Sequence, residues 1–221
     1  MIKAIFFDLD DTLYDSTRLA RMARIAALEG MINEGLPVSR NEGWKLLNVI
    51  VREKGSNFPN HLDLLSQKIL GYKDYKILTA GIVAYHNTKF ANLKPFGDTV
   101  PTLIALRQMG KKLGIITNGK ATKQWEKILR LQLEHFFDGV YISEEEGVEK
   151  PSREIFCNAI SSFDVEPMES IMVDDKGQDL AGAKLCGMVT VLRMRHMRVA
   201  ADYVIENLSE LLGIVGELDG K

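Results

Sequence analysis

Ile2-Lys3-Ala4-Ile5-Phe6-Phe7-Asp8-Leu9-Asp10-Asp11-Thr12-Leu13 is the stretch on which the reading of this chain turns. Its apolar run of Ile2, Ala4, Ile5, Phe6 and Phe7 has the composition of a buried strand, and it breaks abruptly into Asp8, Asp10 and Asp11. If the extended conformation continues through Leu9, the two-residue period sends the side chains of Asp8 and Asp10 to the same side, within reach of one point. Two carboxylates there repel each other. The pair is tolerated where both share a cation, or where one keeps a proton and acts as an acid while the other stays ionised. Both readings are catalytic.

Beyond Leu13 the pattern changes from strand to helix and stays so for about eighty residues. Ser16 or Thr17 is placed to cap a helix running towards Asn33, with Leu19, Met22, Ile25 or Ala26, and Ile32 as its apolar stripe. Ser39 with Glu42 matches a capping box and opens a second helix bearing Trp44, Leu47 and Ile50 or Val51. Gly55 to Pro59 reads as a loop, and two more helices follow, one with Leu62, Leu65 and Ile69, the other with Ile77, Ile82, Tyr85 and Phe90. Residues 16–92 therefore read as a helical bundle inserted into a core made of residues 1–15 and 93–221.

From Lys94 the chain alternates helix and strand. Strands are expected at Lys112 to Ile116, Gly139 to Ile142, Ser170 to Val173, Val189 to Leu192 and Tyr203 to Ile205. Between them lie helices at Asp98 to Met109, Ala121 to Leu131, after Pro151, and at Gly177 to Cys186; Asp98 reads as a cap, Pro151 as a first-turn residue, and Ser209 as the start of a closing helix. Ser143 to Glu149 reads as an acidic loop. Such alternation argues for an α/β fold, a parallel sheet covered on both faces, because parallel strands need crossovers. Asp8 and Asp10, Thr117 and Asn118, and Asp174 and Asp175 each follow the carboxyl end of a core strand, where ligands bind in open α/β sheets. Lys150 falls on the same edge.

Composition narrows the classes of function. At 221 residues with 46% hydrophobic content the chain can bury a large core. A net charge of -2, with both signs mixed along the chain, gives no footprint for nucleic acid or an anionic membrane surface. No apolar run reaches spanning length and no targeting segment opens the chain. Cys157 and Cys186 lack paired spacing, so neither a disulfide nor a zinc site is expected, which favours a reducing cytoplasm. His61, His86, His135 and His196 show no metal-ligand spacing.

A carboxylate cluster without histidine or cysteine is a hard, oxygen-only site suited to Mg²⁺. Lys150 and the hydroxyl and N–H groups of Thr117 to Gly119 suit phosphoryl oxygens, which points to phosphoryl transfer on a small phosphorylated metabolite. A carboxylate approaching a phosphate meets repulsion of about 4 kcal/mol at roughly 4 Å in an effective dielectric of about 20, which a metal and a lysine offset.

Asp8-Leu9-Asp10-Asp11-Thr12-Leu13, Ile115-Ile116-Thr117-Asn118, Lys150-Pro151, and Val173-Asp174-Asp175 with Asp179 together resemble the ordered motifs of the haloacid dehalogenase superfamily, in its subfamily I phosphatase branch. The resemblance covers the whole chain. It implies a Rossmann-like core with a helical cap, Asp8 as the nucleophile that forms an aspartyl-phosphate, and Asp10 as the acid that protonates the leaving alkoxide and later activates water. It further implies that Thr117, Asn118 and Lys150 hold the phosphoryl group and that Asp8, the backbone carbonyl of Asp10, and Asp174 bind Mg²⁺, with Asp175 and Asp179 in support. Many relatives have Gly-Asp-Ser where this chain has Val173-Asp174-Asp175, so the choice between the two aspartates stays open. Dehalogenating members lack the second carboxylate, and Asp10 therefore favours phosphate esters.

Three rivals stand beside this reading: a phosphomutase with the same site, a receiver-type signalling domain, and an inactive regulatory protein on the same fold. A receiver domain would not carry its phospho-acceptor on the first strand. Taken singly, Thr117-Asn118-Gly119 reads as a turn and Asp11 as a turn support. Arg18, Arg21 and Arg24 read as a solvated helix face, Arg193 to Arg198 as an exposed basic loop, and Trp44, Phe58, His61, Tyr85 and His86 as bundle core. The oligomeric state, monomer or homodimer, is open.

Overall fold

The computed structural model describes residues 1–194 and 201–220. In it the opening stretch forms β1 (Ala4–Phe7), followed along the chain by β2 (Lys112–Thr117), β3 (Gly139–Ile142), β4 (Ser170–Asp174), β5 (Val189–Arg193) and β6 (Tyr203–Ile205). They make one sheet in the order β3-β2-β1-β4-β5-β6, with every neighbouring pair parallel. All four residues of β1 are buried, as expected of an interior strand covered on both faces. The architecture is a Rossmann-like α/β fold.

Two units separate by their internal packing, one formed by Met1–Ser16 with the chain from Lys94 onward, the other by Thr17–Leu93. The helical unit contains α1 (Ser16–Asn33), α2 (Arg40–Lys54), α3 (His61–Leu70) and α4 (Tyr75–Asn92). Ser39 Oγ accepts the Glu42 N–H at 3.3 Å and opens α2, and Asp74 Oδ1 accepts from Lys76 and Ile77 to open α4. Leu28, Met31, Leu36, Leu47, Ile50, Leu65 and Ile77 form the core of this unit. The expected stripe of α4 is only partly inside, since Ile82 and Phe90 are exposed.

In the sheet unit, α5 (Thr99–Gln108), α6 (Ala121–Arg130), α8 (Arg153–Phe163), α9 (Gly177–Cys186) and α10 (Leu211–Asp219) occupy the expected places. Several local expectations are corrected. Ser143 to Glu146 is a short helix, α7, rather than part of a loop. Pro151 lies before α8, joined to Lys150 by a cis peptide, and Ser152 caps the helix by accepting from Glu154 N. Asn207 and Glu210 form the capping box of a 3-10 turn, Leu208–Glu210, that precedes α10, so Ser209 does not open it. Asp98 occupies the cap position of α5, yet its carboxylate accepts from the backbone of Leu208 and Ser209 in that turn.

Cys157 and Cys186 are joined by a disulfide, against the expectation of none. They lie on α8 and α9, which pack together through Phe156, Ala159, Ile160, Leu180 and Ala183 with the cysteine Cα atoms 6.3 Å apart. Spacing along the chain carries no trace of a contact made by helix packing, and the case for a reducing compartment drawn from cysteine usage loses its basis. No helix among the described residues is long and apolar enough to cross a membrane.

Close packing of α9 also sets the loop that carries Lys150. A Cβ added at Gly182 would lie 2.1 Å from the Pro151 carbonyl oxygen and 2.9 Å from Phe156. Gly182→Ala should therefore cost about 1–3 kcal/mol in urea unfolding, the usual range for overpacking. Gly213→Ala, at an α10 position with open space around it, should instead be neutral or stabilising by up to about 1 kcal/mol.

Candidate active site

The parallel register aligns three strand ends. Phe7 pairs with Ile115 on β2 and with Val173 on β4, and the N–H of Asp8 continues the ladder to Val173 O at 2.9 Å. Thr117 and Asp174 are the last residues of their strands, so both lie at the edge where Asp8 emerges. Asp11 adopts a left-handed conformation (φ 61°), which an aspartate tolerates better than most residues, and the chain turns there.

Lys150 is brought to this edge by its backbone. Its N–H donates to Asn118 Oδ1 and its carbonyl accepts from Asn118 Nδ2, both at 2.8 Å, so the Asn118 amide is spent on this two-way clamp. The N–H of Gly119 is likewise engaged, donating to Ser143 Oγ at 3.0 Å. Lys150 Nζ donates to Asp8 Oδ1 at 2.8 Å and to Asp174 Oδ2 at 2.6 Å, and lies 3.6 Å from Asp179 Oδ2 on the first turn of α9. Its side chain is 1% exposed. Burial works against its charge, but Asp174, Asp8 and Asp179 outweigh burial and hold the ammonium charged well above its ordinary range.

One cation does not neutralise this cluster. Burial, with Asp174 and Asp10 nearby, pushes the Asp8 carboxyl up to about 6 in spite of Lys150. Burial and the charges of Asp174 and Asp8 push Asp175 up to about 7. Asp174 is raised too, by burial above all. Asp8, Asp174 and Asp175 each present an oxygen within 4.8 Å of the others. Among the described residues, Asp8 Oδ2 and Asp175 Oδ1 are buried without a hydrogen-bond partner. Asp174 differs, because Oδ2 accepts from Lys150 and Oδ1 from the Lys176 N–H at 2.9 Å. Orphaned, buried carboxylate oxygens facing one another fit a hard cation such as Mg²⁺.

Asp10 lies in a separate set of contacts. Tyr14 Oη donates to Asp10 Oδ1, Lys127 Nζ reaches Oδ1 at 2.8 Å and Oδ2 at 2.7 Å, and Gln124 Nε2 lies 3.3 Å from Oδ2. Burial opposes ionisation of Asp10, but Lys127, Tyr14 and Gln124 prevail and hold its carboxyl below the ordinary value. Gln124 also meets Thr117 Oγ1 at 2.6 Å. Gln124, Lys127 and Tyr14 were not singled out by sequence reasoning. The available signal was two polar residues, Gln124 and Lys127, on the same helical stripe as Ile128 and Leu131, both of which are buried.

Arg193 corrects another expectation. It is no part of an exposed basic loop, being 3% exposed at the end of β5. Its guanidinium donates to the Thr12 carbonyl, stacks 4.0 Å over the Phe96 ring and lies 3.6 Å from Asp98 Oδ1. A cation at a strand end can be buried only with such partners. Arg195 to Arg198 lie outside the described residues. In the helical unit, His61 is buried and bonded to Gly55 O at 2.9 Å, whereas His86 is exposed against Tyr85 and Phe90. Arg24 reaches Ser56 O at 3.3 Å.

With this geometry in view, comparison with known proteins is specific. Residues 2–187 match the family described as haloacid dehalogenase-like hydrolase. A glyceraldehyde 3-phosphate phosphatase from Methanopyrus kandleri is 46% identical over 99% of both chains, and one from Pyrococcus abyssi is 50% identical over 86% of this chain and 81% of its own. The solved structure of the hydrolase YfnB from Bacillus subtilis, bound to magnesium, shares the fold with a TM-score of 0.71 at 20% identity, covering 97% of this chain and 98% of its own. The chain belongs to the haloacid dehalogenase-like hydrolases. Within that family it is a phosphatase of small phosphomonoesters.

The raised carboxyls tie stability to pH. An unfolded aspartate releases its proton near pH of about 4, whereas folded, metal-free Asp8 and Asp175 keep theirs to about 6 and about 7. Between those values the folded state binds more protons, so stability falls as pH rises from about 4 past about 7. In EDTA, Asp175→Asn should raise the Tm at pH 8 by a few degrees and leave it nearly unchanged at pH 4.5.

Proposed function

We propose that this phosphatase is Mg²⁺-dependent, acts through an aspartyl-phosphate on Asp8, and takes glyceraldehyde 3-phosphate or a similar three-carbon sugar phosphate as substrate. One observation carries the mechanism: the ammonium of Lys150 fixes Asp8 Oδ1 and leaves Oδ2 buried with its lone pairs unused. The similarity to the glyceraldehyde 3-phosphate phosphatase from Methanopyrus kandleri supports the substrate class.

In the first half-reaction an Asp8 carboxylate oxygen attacks phosphorus and the ester P–O bond breaks. Asp10, ionised in the resting site, takes up a proton from solvent before the ester bond breaks and gives it to the leaving oxygen. In the second, water attacks the phosphoryl group, its proton passes to Asp10, and the Asp8–phosphorus bond breaks to release phosphate. Lys150 and the Thr117 hydroxyl hold the phosphoryl oxygens as charge shifts among them. Asp8, the backbone carbonyl of Asp10, and Asp175 would hold Mg²⁺, with Asp174 and Asp179 in support; Asp175 is preferred over Asp174 because both Asp174 oxygens are already engaged. Bound there, Mg²⁺ supplies positive charge that offsets the repulsion between a carboxylate nucleophile and a phosphate dianion. The helical unit Thr17–Leu93 is proposed as the family's cap. A sugar-phosphate substrate supports a cytoplasmic location, where such metabolites are made.

Phosphate release from glyceraldehyde 3-phosphate and a panel of phosphomonoesters tests the reading. Turnover should require Mg²⁺, stop with EDTA, and fall to background in Asp8→Asn, while acid-quenched wild type should yield an Asp8 peptide heavier by one phosphoryl group. Phosphate retained on the product would indicate a mutase instead. A folded wild type that turns over none of the esters would overturn the proposal.

A further inference from the structure

The contacts around Asp10 exceed what the turn after β1 needs. Its two oxygens meet three donors: Tyr14 Oη and Lys127 Nζ at Oδ1, Lys127 Nζ and Gln124 Nε2 at Oδ2. Lys127 is the only one of the three to reach both oxygens, so it holds the carboxylate through a charge-assisted contact at each. The lysine is itself held. Lys127 Nζ donates to Gln124 Oε1 at 2.6 Å, one helical turn earlier on α6, and the Gln124 amide nitrogen meets Thr117 Oγ1 at 2.6 Å and Asn118 O at 3.1 Å. Gln124 is 2% exposed, so it has few other orientations open to it.

Two residues of one helix thus fasten the Asp10 carboxylate to the Thr117 hydroxyl, although Asp10 follows β1 and Thr117 ends β2. An electrostatic task accompanies the geometric one. Asp8, Asp174, Asp175 and Asp179 already crowd this edge, and Lys150 is committed to Asp8 and Asp174. A further carboxylate nearby would be driven outward by like charge unless a second cation held it.

We infer that Lys127, steadied by Gln124, is a positioning residue that aims the Asp10 carboxyl at the leaving-group oxygen. The inference rests on the phosphatase reading above and adds a residue to it. The step it serves is the one in which the ester P–O bond breaks, the Asp8–phosphorus bond forms, and one proton, taken up by Asp10 from solvent beforehand, passes to the departing oxygen. An alkoxide needs that proton; a nitrophenolate scarcely does.

Leaving-group dependence therefore reads the positioning directly. The values of kcat/KM for glyceraldehyde 3-phosphate and p-nitrophenyl phosphate, which report steps up to leaving-group departure, are compared in wild type, Lys127→Met, Lys127→Arg, Asp10→Asn and the double variant. In Lys127→Met the ratio of alkyl to aryl kcat/KM should fall about a hundredfold, the lower range for a general acid. Lys127→Arg should recover part of that ratio, and Lys127→Met added to Asp10→Asn should lower it no further. Thermal melts establish folding, and Lys127→Gln supplies the same comparison should the methionine variant not fold. A ratio unchanged from wild type, whether both esters slow together or neither does, overturns the positioning role, as does an additive loss in the double variant. A wild type inactive on both esters overturns the phosphatase reading itself.

Discussion

The ammonium of Lys150, with 1% of its side chain exposed and Asp8, Asp174 and Asp179 around it, is the constraint to which the rest of the sheet edge conforms. Moving such a charge out of water costs several kcal/mol, and breaking one partner from a buried pair costs about 3–5 kcal/mol. The fold meets that demand by approach from every side. β1 supplies Asp8, β4 supplies Asp174, α9 supplies Asp179, and Asn118 after β2 grips the lysine backbone by both its N–H and its carbonyl. The missing side chain at Gly182 lets α9 come close enough to press on the same loop.

A division of labour follows from the placement of two lysines. Lys150 serves the carboxylate with an unused oxygen, and Lys127 serves the one whose oxygens are all engaged. Asp8 and Asp10 are neighbours but one in the chain, yet burial raises the first while Lys127, Tyr14 and Gln124 lower the second.

Much of this was legible in sequence because it rests on local patterns. The run from Ile2 to Phe7 read as a buried strand, and the alternation after Lys94 read as a parallel sheet, since apolar period and crossover length are local properties. The spacing of Asp8 and Asp10 showed that they belong near one point. It did not show that their surroundings would differ, because Lys127 and Gln124 arrive from residues more than a hundred positions away. Arg193 was misread for a related reason: its basic neighbours suggested solvent, whereas the last residue of a strand can send its side chain beneath a turn made far earlier. The Cys157–Cys186 pairing depends on how α8 and α9 pack, and Asp98 on where a distant 3-10 turn needs an acceptor.

The order of the strands has a consequence for synthesis. β1 lies between β2 and β4, yet it is translated before the whole helical unit and before both of its neighbours. Until residue 117 has left the ribosome it has no partner on one side, and until residue 174 none on the other. Through that interval Ile5, Phe6 and Phe7, wholly buried in the finished protein, lack their native sheet neighbours. The unit Thr17–Leu93, with a core of its own, has its full length of chain available first. β1 thus gains its second neighbour only after residue 174 has emerged, and the sheet edge that bears Asp8, Thr117 and Asp174 is completed no earlier.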